Sequence, residues 1–236
     1  MRLMLAAAII ATSATLTALA ITAPASAETR TYNLTGFKRI EADSAFRIEF
    51  TQSPTWSVSV DSKYNTLQYV VVKKVGDTLR ISRPNHTHIN GKVEDVVRIS
   101  APDLDALKLD SAIRFTAGSL NVDDLAIDAD AAVSIEIGAL KAGLVKVNAD
   151  SATKLKLAGS CTKLDLTLGS ASKVDAEALK CRETTIEAGS ASSVHAWASE
   201  RAVARAGTAS TVLISGHPRD FQETHEKYAS KVSLTD

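Results

Sequence analysis

The sequence has few aromatic residues, no excess of either charge and only two cysteines. Phe, Trp and Tyr make up 5% of the 236 residues, while Ala, Val, Leu, Ser and Thr are plentiful. This composition favours thin, repetitive β layers over one bulky core. The formal net charge is +0 at pH 7. Because nucleic acid is bound through a basic face, the balanced charge argues against a nucleic-acid partner.

The sequence has one long apolar run, at its N-terminus. Residues 1–27 have the pattern of a secretory signal peptide. Arg2 supplies a positive charge, residues 5–21 are almost wholly apolar or small, and Ala-Ser-Ala at 25–27 fits a signal-peptidase site. The alternative is a membrane anchor, but a spanning helix needs about 20 apolar residues and this run is short. We therefore expect an exported chain, periplasmic, extracellular or at the cell surface, with no membrane span.

A three-residue motif recurs six times at nearly constant spacing. Its third residue is always Ala, its second is Ser, Thr or Ala, and its first is Asp in three copies and Gly in three. The first positions are separated by 20, 20, 19, 20 and 18 residues, which is typical of a solenoid. The copies are Asp110-Ser111-Ala112, Asp130-Ala131-Ala132, Asp150-Ser151-Ala152, Gly169-Ser170-Ala171, Gly189-Ser190-Ala191 and Gly207-Thr208-Ala209.

Apolar and polar residues alternate on both sides of the motif, as at Leu107 and Leu109 before it and Ile135 and Ile137 after it. A period of two indicates strands with one buried face. One unit of two or three short strands cannot bury its own apolar face, whereas units stacked at roughly 4.8 Å bury a continuous interior. The sequence therefore predicts an all-β fold, a parallel β-helix with coils of about twenty residues and irregular β segments at both ends.

The motif is expected to form one corner of each coil. Asp or Gly would open the bend because both tolerate turn geometry, and the Ser or Thr hydroxyl would satisfy a backbone group. Ala would be required by crowding where two strands meet. Leucine-rich repeats have a similar length but need a Leu-x-x-Leu-x-Leu pattern that this chain lacks. A globular sheet protein gives no reason for regularly spaced Ala.

Residues 28–236 are expected to form a single domain. Residues 28–100 are less regular, although Asp43-Ser44-Ala45 echoes the corner motif, so we expect irregular N-terminal coils there. Residues 101–215 contain the regular coils. The polar residues 216–236 are expected to cap the other end, since atypical terminal segments usually cover the open edges of a solenoid.

The two cysteines, Cys161 and Cys181, are 20 residues apart, which is one repeat. Stacking would make them vertical neighbours at roughly 4.8 Å, within the usual Cα range for a disulfide. An exported protein also meets oxidising conditions. We therefore predict a Cys161–Cys181 bridge, with two buried free thiols as the alternative. The spacing excludes a catalytic Cys-x-x-Cys role.

Apolar pairs in the N-terminal half, together with the serial corners, carry a family resemblance. The pairs are Phe37-x-x-Ile40, Phe46-x-Ile48, Val58-x-Val60 and Leu79-x-Ile81. Over roughly residues 32–234 the chain resembles the GIN domain, the head domain named for autotransporter adhesins. The resemblance implies a bacterial, exported protein with a right-handed β-helical fold and no catalytic residues. Family corners usually carry Gly-Ser-Gly, and because the second Gly is Ala here, we expect the third corner position to avoid the left-handed backbone.

Asp110, Asp130 and Asp150 should form a ladder along one corner. Rows of oxygen ligands can bind Ca²⁺, and some right-handed β-helical lyases and glycosidases use such carboxylates. The alternative is that each Asp caps its own bend while water screens the charges. The order of three Asp followed by three Gly favours interchangeable turn formers. We therefore predict no metal site and no cofactor, and keep these three Asp as candidate metal ligands.

His86 and His88 are a possible metal pair, and His195 and Trp197 are candidates for surface contacts. His86 and His88 lack a nearby carboxylate or Cys to complete a metal site, so we expect a polar loop there. His195 and Trp197 fall at outward strand positions. An exposed Trp could stack on a sugar or fill a partner's pocket, or it could lie under the C-terminal tail. We find no Ser-His-Asp signature, phosphate loop or zinc motif, and predict no catalytic residue.

These observations predict an exported, non-enzymatic β-solenoid, an adhesin-like binding or structural module of the bacterial envelope. Its partner would be a protein or glycan of the envelope or cell surface, and its oligomeric state stays open. The alternatives are a polysaccharide-active β-helix enzyme, a lyase or glycosidase, and a Ca²⁺-dependent binding module.

Overall fold

The computed structural model describes residues 28–64, 66–84, 89, 93–225 and 228–235 of the chain. Within these ranges no helix is long and apolar enough to cross a membrane. The predicted signal peptide and the His86 and His88 pair lie outside the described residues.

Nineteen strands and one short 3₁₀ helix make up the regular structure of the described residues. The strands are β1 (Glu28–Tyr32), β2 (Arg39–Ala42), β3 (Arg47–Gln52), β4 (Ser57–Ser62), β5 (Val71–Val75), β6 (Thr78–Ser82), β7 (Asp95–Ala101), β8 (Ala106–Asp110), β9 (Arg114–Asn121), β10 (Asp124–Asp130), β11 (Ser134–Ala149), β12 (Lys154–Leu168), β13 (Lys173–Ala176), β14 (Leu179–Ala188), β15 (Ser193–Trp197), β16 (Arg201–Ala206), β17 (Thr211–Ser215), β18 (Asp220–His225) and β19 (Lys231–Leu234). The 3₁₀ helix, Leu67–Tyr69, lies between β4 and β5.

Two strand faces meet at the corner motif, and each face is a parallel stack. Strands that precede the corner stack as β6, β2, β8, β10, the later parts of β11, β12 and β14, then β16 and β18. Strands that follow the corner stack as β7, β3, β9, the first parts of β11 and β12, then β13, β15, β17 and β19. The parallel β-helix predicted from the repeat is confirmed, with about 6 turns.

The interior consists of aliphatic ladders whose members are one repeat apart. One ladder runs through Leu107, Ile127, Val147, Leu166 and Ile186, each at most 1% exposed. Cys161 and Cys181 occupy a ladder of the same kind. Their Cα atoms are 4.5 Å apart and a disulfide joins them, so a covalent bond ties two adjacent coils together.

The N-terminal coils do not stack in the order of the chain. The coil of β2 and β3 lies between two others, with β6 and β7 on one side and β8 and β9 on the other. Antiparallel strands cover the outer edge of the end coil, with β5 on β6, β4 on β7 and β1 on β4. This cover pairs the backbone of the end coil, whose open edge would otherwise invite another chain.

The third corner residue has a left-handed backbone in all six copies, so our expectation for this position was wrong. The φ angles lie between 55° and 68° at Ala112, Ala132, Ala152, Ala171, Ala191 and Ala209. The geometry brings each Ala N–H to a carbonyl of the next corner, as from Ala132 to Ser151 at 3.0 Å. These alanines are exposed, so crowding does not require them either.

The buried corner residue is the fourth one, directly after the Ala. The six are Ile113, Val133, Thr153, Ser172, Ser192 and Ser210. The hydroxyl groups of the last four donate to backbone carbonyls inside the corner, as from Ser192 Oγ to Gly169 O at 2.6 Å. The hydroxyl role that the sequence assigned to the second residue therefore belongs to the fourth, which faces the interior.

Residues 216–236, expected as a cap, contain one further coil. β18 pairs with β16 and β19 pairs with β17, both in parallel, and Ala229 between them has a left-handed φ of 51°. Glu223 lies opposite the buried Ala204, at a register position that is apolar in the preceding coils. A charge at such a register position on an end strand discourages edge-to-edge pairing with another strand.

Candidate binding surface

One outward row on the strands that follow the corner is strongly basic. The "basic row" consists of Arg47, Arg114, Lys154, Lys173 and Lys231, all of them exposed. Arg47 pairs in register with Arg114, and Lys154 pairs in register with Lys173. Ser134 lies between these two pairs, and two neutral residues separate Lys173 from Lys231. Coil stacking thus places two adjacent pairs of positive charge along one line.

The basic row differs from its neighbours in having no counter-ions. Within the described ranges, none of its five side chains has an ion-pair partner or a side-chain hydrogen bond. In the adjacent outward row, by contrast, Arg98 Nε lies 3.1 Å from Glu49 Oε2, and Lys156 Nζ lies 3.9 Å from Glu136 Oε1. Like charges on neighbouring strands repel. The basic row is therefore a line of positive charge without direct ion-pair partners among the described residues, beside a row whose charges are largely paired.

An open groove of about 620 Å³ contains the start of the basic row, Arg47 and Arg114. The acids that line the groove are each paired with another base, namely Asp61 with Arg98, Glu94 with Lys63 and Asp95 with Arg83. The hydrogen bond to Glu94 also raises the pKa of Lys63. Among the charged residues described in this groove, Arg47 and Arg114 are the ones left without a counter-ion.

The wall of the groove is fixed by a buried ion pair. Asp95 is 2% exposed, pairs with Arg83 and accepts a hydrogen bond from Thr66 Oγ1 at 2.5 Å. The Arg83 guanidinium also lies 4.6 Å from the centre of the Phe46 ring. Buried charges persist only where they are paired and hydrogen-bonded, and these are both. The groove is therefore preformed beside Arg47.

The three Asp candidates form a ladder, and corner groups occupy their carboxylates: the Ser111 hydroxyl at Asp110, and backbone N–H groups at Asp130 and Asp150. Asp130 Oδ1 accepts the N–H of Ala131 at 2.7 Å, and Asp150 Oδ1 accepts the N–H groups of Ser151 at 2.8 Å and Ser170 at 2.6 Å. No three metal-ligating side chains come together in the part of the chain that the structure describes. These contacts are those of turn-capping carboxylates.

The Asp150 carboxylate lies at the point where the first corner residue changes from Asp to Gly. The Asp150 carboxylate fills the space that a Cβ of residue 169 would need. A side chain at residue 169 would therefore displace that carboxylate, whereas a Cβ at residue 189 would lie 2.6 Å from the carbonyl oxygen of Leu168. In the Asp corners the second residue is left-handed as well, at Ser111, Ala131 and Ser151, whereas in the Gly corners only the third residue is.

His195 lies at the centre of a network that crosses successive coils. Its Nδ1 is 3.3 Å from Glu177 Oε2, and its Nε2 is 3.1 Å from Ser215 Oγ. Ser215 Oγ is also 2.8 Å from Thr235 Oγ1. The residues are separated by 18, 20 and 20 positions, so stacking rather than a local motif assembles them.

The order Ser215, His195, Glu177 has the connectivity of an acyl-transfer triad. A nucleophile of that kind needs space for a reacting atom about 3 Å from its oxygen. Ser215 is only 2% exposed, and Thr235 covers its hydroxyl. We therefore assign the network a structural role, linking the last coils.

Trp197 points outward, but neighbouring coils cover its ring. Lys180 Nζ, from the preceding coil, lies 3.6 Å from the ring centroid. On the following coil, the backbone of Gly216 is so close that a Cβ there would overlap the ring. The ring faces are thus occupied by packing, and His195 beside it is 30% exposed at its side chain. Both predicted contact residues lie on β15, and both contact residues of the neighbouring coils.

The basic row is a feature that was not predicted from the sequence. The signal was present, because a basic residue stands four positions after the first corner residue at Arg47, Arg114, Lys154 and Lys173. Each base looked like an ordinary solvated strand residue. Only the pairing of the strands shows that these bases share one row and that no acid lies within that row.

The fold is shared with several crystal structures of bacterial proteins. A "putative adhesin" from Bacteroides fragilis is 18% identical, with a TM-score of 0.84 over 89% of this chain and 97% of that one. A "putative lipid binding protein" from Parabacteroides distasonis is 12% identical, with a TM-score of 0.67 over 89% and 97%. A "putative adhesin" from Parabacteroides merdae is 14% identical, with a TM-score of 0.64 over 89% and 96%. At these identities the likeness shows the fold alone.

A comparison with curated proteins finds no match. A family model does match, and it covers residues 36–218, most of the chain. Its description is "Putative auto-transporter adhesin, head GIN domain". The resemblance seen in the apolar pairs and serial corners is thereby confirmed, and the chain belongs to the GIN domain family.

Proposed function

We propose that residues 28–236 are exported and act as a non-enzymatic, adhesin-like binding module of the bacterial envelope, in the periplasm or at the cell surface. Membership of a family described by the word adhesin supports this role. The signal-peptide pattern of residues 1–27 supports export. The Cys161–Cys181 disulfide agrees with an oxidising compartment.

The basic row is the observation that carries the proposal. Surface charges are ordinarily interspersed with charges of the other sign, as in the adjacent row of Glu49, Glu136 and Lys156. A preformed line of bases with no counter-ion among the described residues is suited to an external partner that supplies the negative charge. We therefore place the contact surface on the strand face that follows the corner.

Binding to whole cells tests this proposal. Labelled chain 28–236 would be incubated with a panel of bacterial and animal cells and followed by flow cytometry. We expect saturable binding to at least one cell type, and a loss of at least fivefold when Arg47, Arg114, Lys154 and Lys173 are all changed to Ser. Absence of binding across the panel, or equal binding by the fourfold variant, would contradict the proposal.

An assay for turnover separates this proposal from the enzyme alternative. The chain would be incubated with a panel of acidic polysaccharides, and new reducing ends and unsaturated products would be measured. We expect neither product. Turnover that is lost in an Asp130→Asn variant would replace the binding role by a lyase or glycosidase role.

A further inference from the structure

We propose that the basic row binds a linear anionic polysaccharide that bears carboxylate or sulfate groups, with its chain laid along the solenoid axis. This inference rests on the proposed binding function and names its partner class.

The spacing of the basic row suits an extended polymer. Strands in a sheet are about 4.8 Å apart, so Arg47 and Arg114 lie one such step apart, as do Lys154 and Lys173. The centres of the two pairs are three steps apart, or roughly 14 Å. A ligand that contacts both pairs must therefore carry negative charge at intervals along its length. A single small anion can reach only one pair.

The groove at the start of the row suits carboxylate or sulfate groups. The planar guanidinium of Arg binds two oxygens of such a group at once, and the two guanidinium groups here are neighbours. The adjoining corner residues that line the groove, Ala45 and Ala112, are small. A sugar chain can therefore approach the arginines closely. The hydroxyl of Ser134 lies in the same row, between the two basic pairs, as a further hydrogen-bonding group.

The narrowness of the row favours a single chain over a flat anionic surface. On one side of the row, the same strands carry the outward acids Glu49, Glu136 and Asp175. On the other side, across the corner, lie Asp43, Asp110, Asp130 and Asp150. An anionic bilayer pressed onto this face would meet the corner aspartates and the paired acids of the adjacent row along with the bases. A chain that is one sugar wide contacts the basic row and avoids the acids.

Charge rather than aromatic stacking would provide the affinity. Lys180 and Gly216 cover the Trp197 ring, and the basic row itself contains no aromatic residue. Sites for neutral sugars commonly use an open aromatic face, and Trp197 does not offer one. The binding should therefore discriminate between anionic and neutral polysaccharides, and it should weaken steeply as salt is added.

The test measures the binding of chain 28–236 to immobilised alginate, which carries carboxylates, and to dextran sulfate, with neutral dextran as the reference. Two row variants, Arg47→Ser with Arg114→Ser and Lys154→Ser with Lys173→Ser, each remove two charges. A matched control, Arg201→Ser with Arg205→Ser, removes two charges from the other strand face, where both arginines are paired with acids. Melting curves would confirm that all three variants fold.

We expect binding to at least one of the two anionic polymers and none to neutral dextran. Each row variant should bind at least tenfold more weakly, while the control stays within twofold. Binding to alginate alone would identify carboxylate as the recognised group, and binding to dextran sulfate alone would identify sulfate. A fall in affinity of at least fivefold between 50 and 300 mM NaCl is also expected.

Three outcomes would overturn the inference. One is an equal loss in the control and row variants, which would indicate a non-specific charge effect. The second is tighter binding to phosphatidylglycerol vesicles than to either polysaccharide, which would indicate a membrane partner. The third is cell binding that depends on the basic row without any binding to the anionic polymers. In that last case the proposed function stands and only the partner class fails.

Discussion

Glycine in place of the corner alanines should stabilise the protein. An L-residue in the left-handed region costs about 1–2 kcal/mol, which Gly does not incur. Gly loses more backbone freedom on folding, by about 0.5–1 kcal/mol relative to Ala. The net gain is about 0.5–1 kcal/mol for each change. Ala171, Ala191 and Ala209 are suitable sites, because their methyl groups are exposed and their φ angles are 55°, 57° and 57°.

The triple variant should therefore gain about 2 kcal/mol if the three sites act independently. For a domain of this size, that gain corresponds to an increase in melting temperature of roughly 4–8 °C. The assay is thermal unfolding of chain 28–236 followed by circular dichroism, with the disulfide intact. The matched control changes Ala196 and Ala204 to Gly, because both are 0% exposed and neither has a positive φ. The control should melt at a lower temperature than the parent.

A triple corner variant that melts at or below the temperature of the parent would refute the reasoning. It would mean that the left-handed corners carry no strain, or that the Ala methyl groups make contacts that Gly loses. An equal decrease in the corner variant and the buried control would point to the same conclusion.

Three further predictions concern the disulfide, the Asp ladder and one exposed ion pair. Changing Cys161 and Cys181 together to Ala should lower the free energy of unfolding by about 3 kcal/mol, because the bond closes a loop of 20 residues; equal urea midpoints would contradict this. Asp150→Ala should lower the free energy of unfolding by about 1 kcal/mol, because it leaves the Ser151 and Ser170 amides without their acceptor. Asp110→Ala should lower it less, because the Asp110 carboxylate accepts only the Ser111 hydroxyl, at 3.0 Å. Excess Ca²⁺ should leave the melting temperature unchanged, and a clear increase would restore the Ca²⁺ alternative. The hydrogen bond from Arg182 lowers the pKa of Glu200 below its ordinary value of 4.5. The ion pair therefore stabilises the fold above pH 4.5, and this stabilisation is lost as the pH falls through the lowered pKa. Glu200→Gln should therefore reduce the acid-induced drop in melting temperature below about pH 4.5, and an unchanged drop would count against the pair.

The stacked architecture could be predicted because its signal repeats. Leu107, Ile127 and Val147 recur at the same place in each unit, and no alternative fold explains that spacing. The contact between Cys161 and Cys181 could be predicted for the same reason, since they are one repeat apart. A repeat supplies many independent observations of one local structure, so errors at single residues matter little.

The corner backbone could not be predicted from residue preferences. Ala disfavours the left-handed region, but Ala112 and its equivalents adopt it because the ladder of corner hydrogen bonds requires that geometry. Tertiary pairing overrides the local preference of a single residue. The stacking order of the N-terminal coils could not be predicted for a related reason. The pairing of β6 and β7 with β2 and β3 is long-range, and no sequence repeat marks it.

The candidate site was harder to predict than the fold. His195 and Trp197 were chosen as outward residues, and the period of two was right, but it cannot show that Lys180 and Gly216 cover the ring. The basic row depends on which bases share a row and which acids are already paired. Both properties arise from contacts between coils, which a single strand pattern does not contain.

The most direct test measures how affinity depends on the length of the ligand. Arg47 and Lys173 lie four coil steps apart, so the row between them spans roughly 19 Å. Oligomers of the anionic polysaccharide that binds, if long enough to reach both basic pairs, should bind about tenfold more tightly than oligomers of half that length. The Lys154→Ser, Lys173→Ser variant should lose this gain while it retains the weak binding of the short oligomers. Equal affinity at all lengths, or a gain that persists in the variant, would contradict a continuous binding row built by coil stacking.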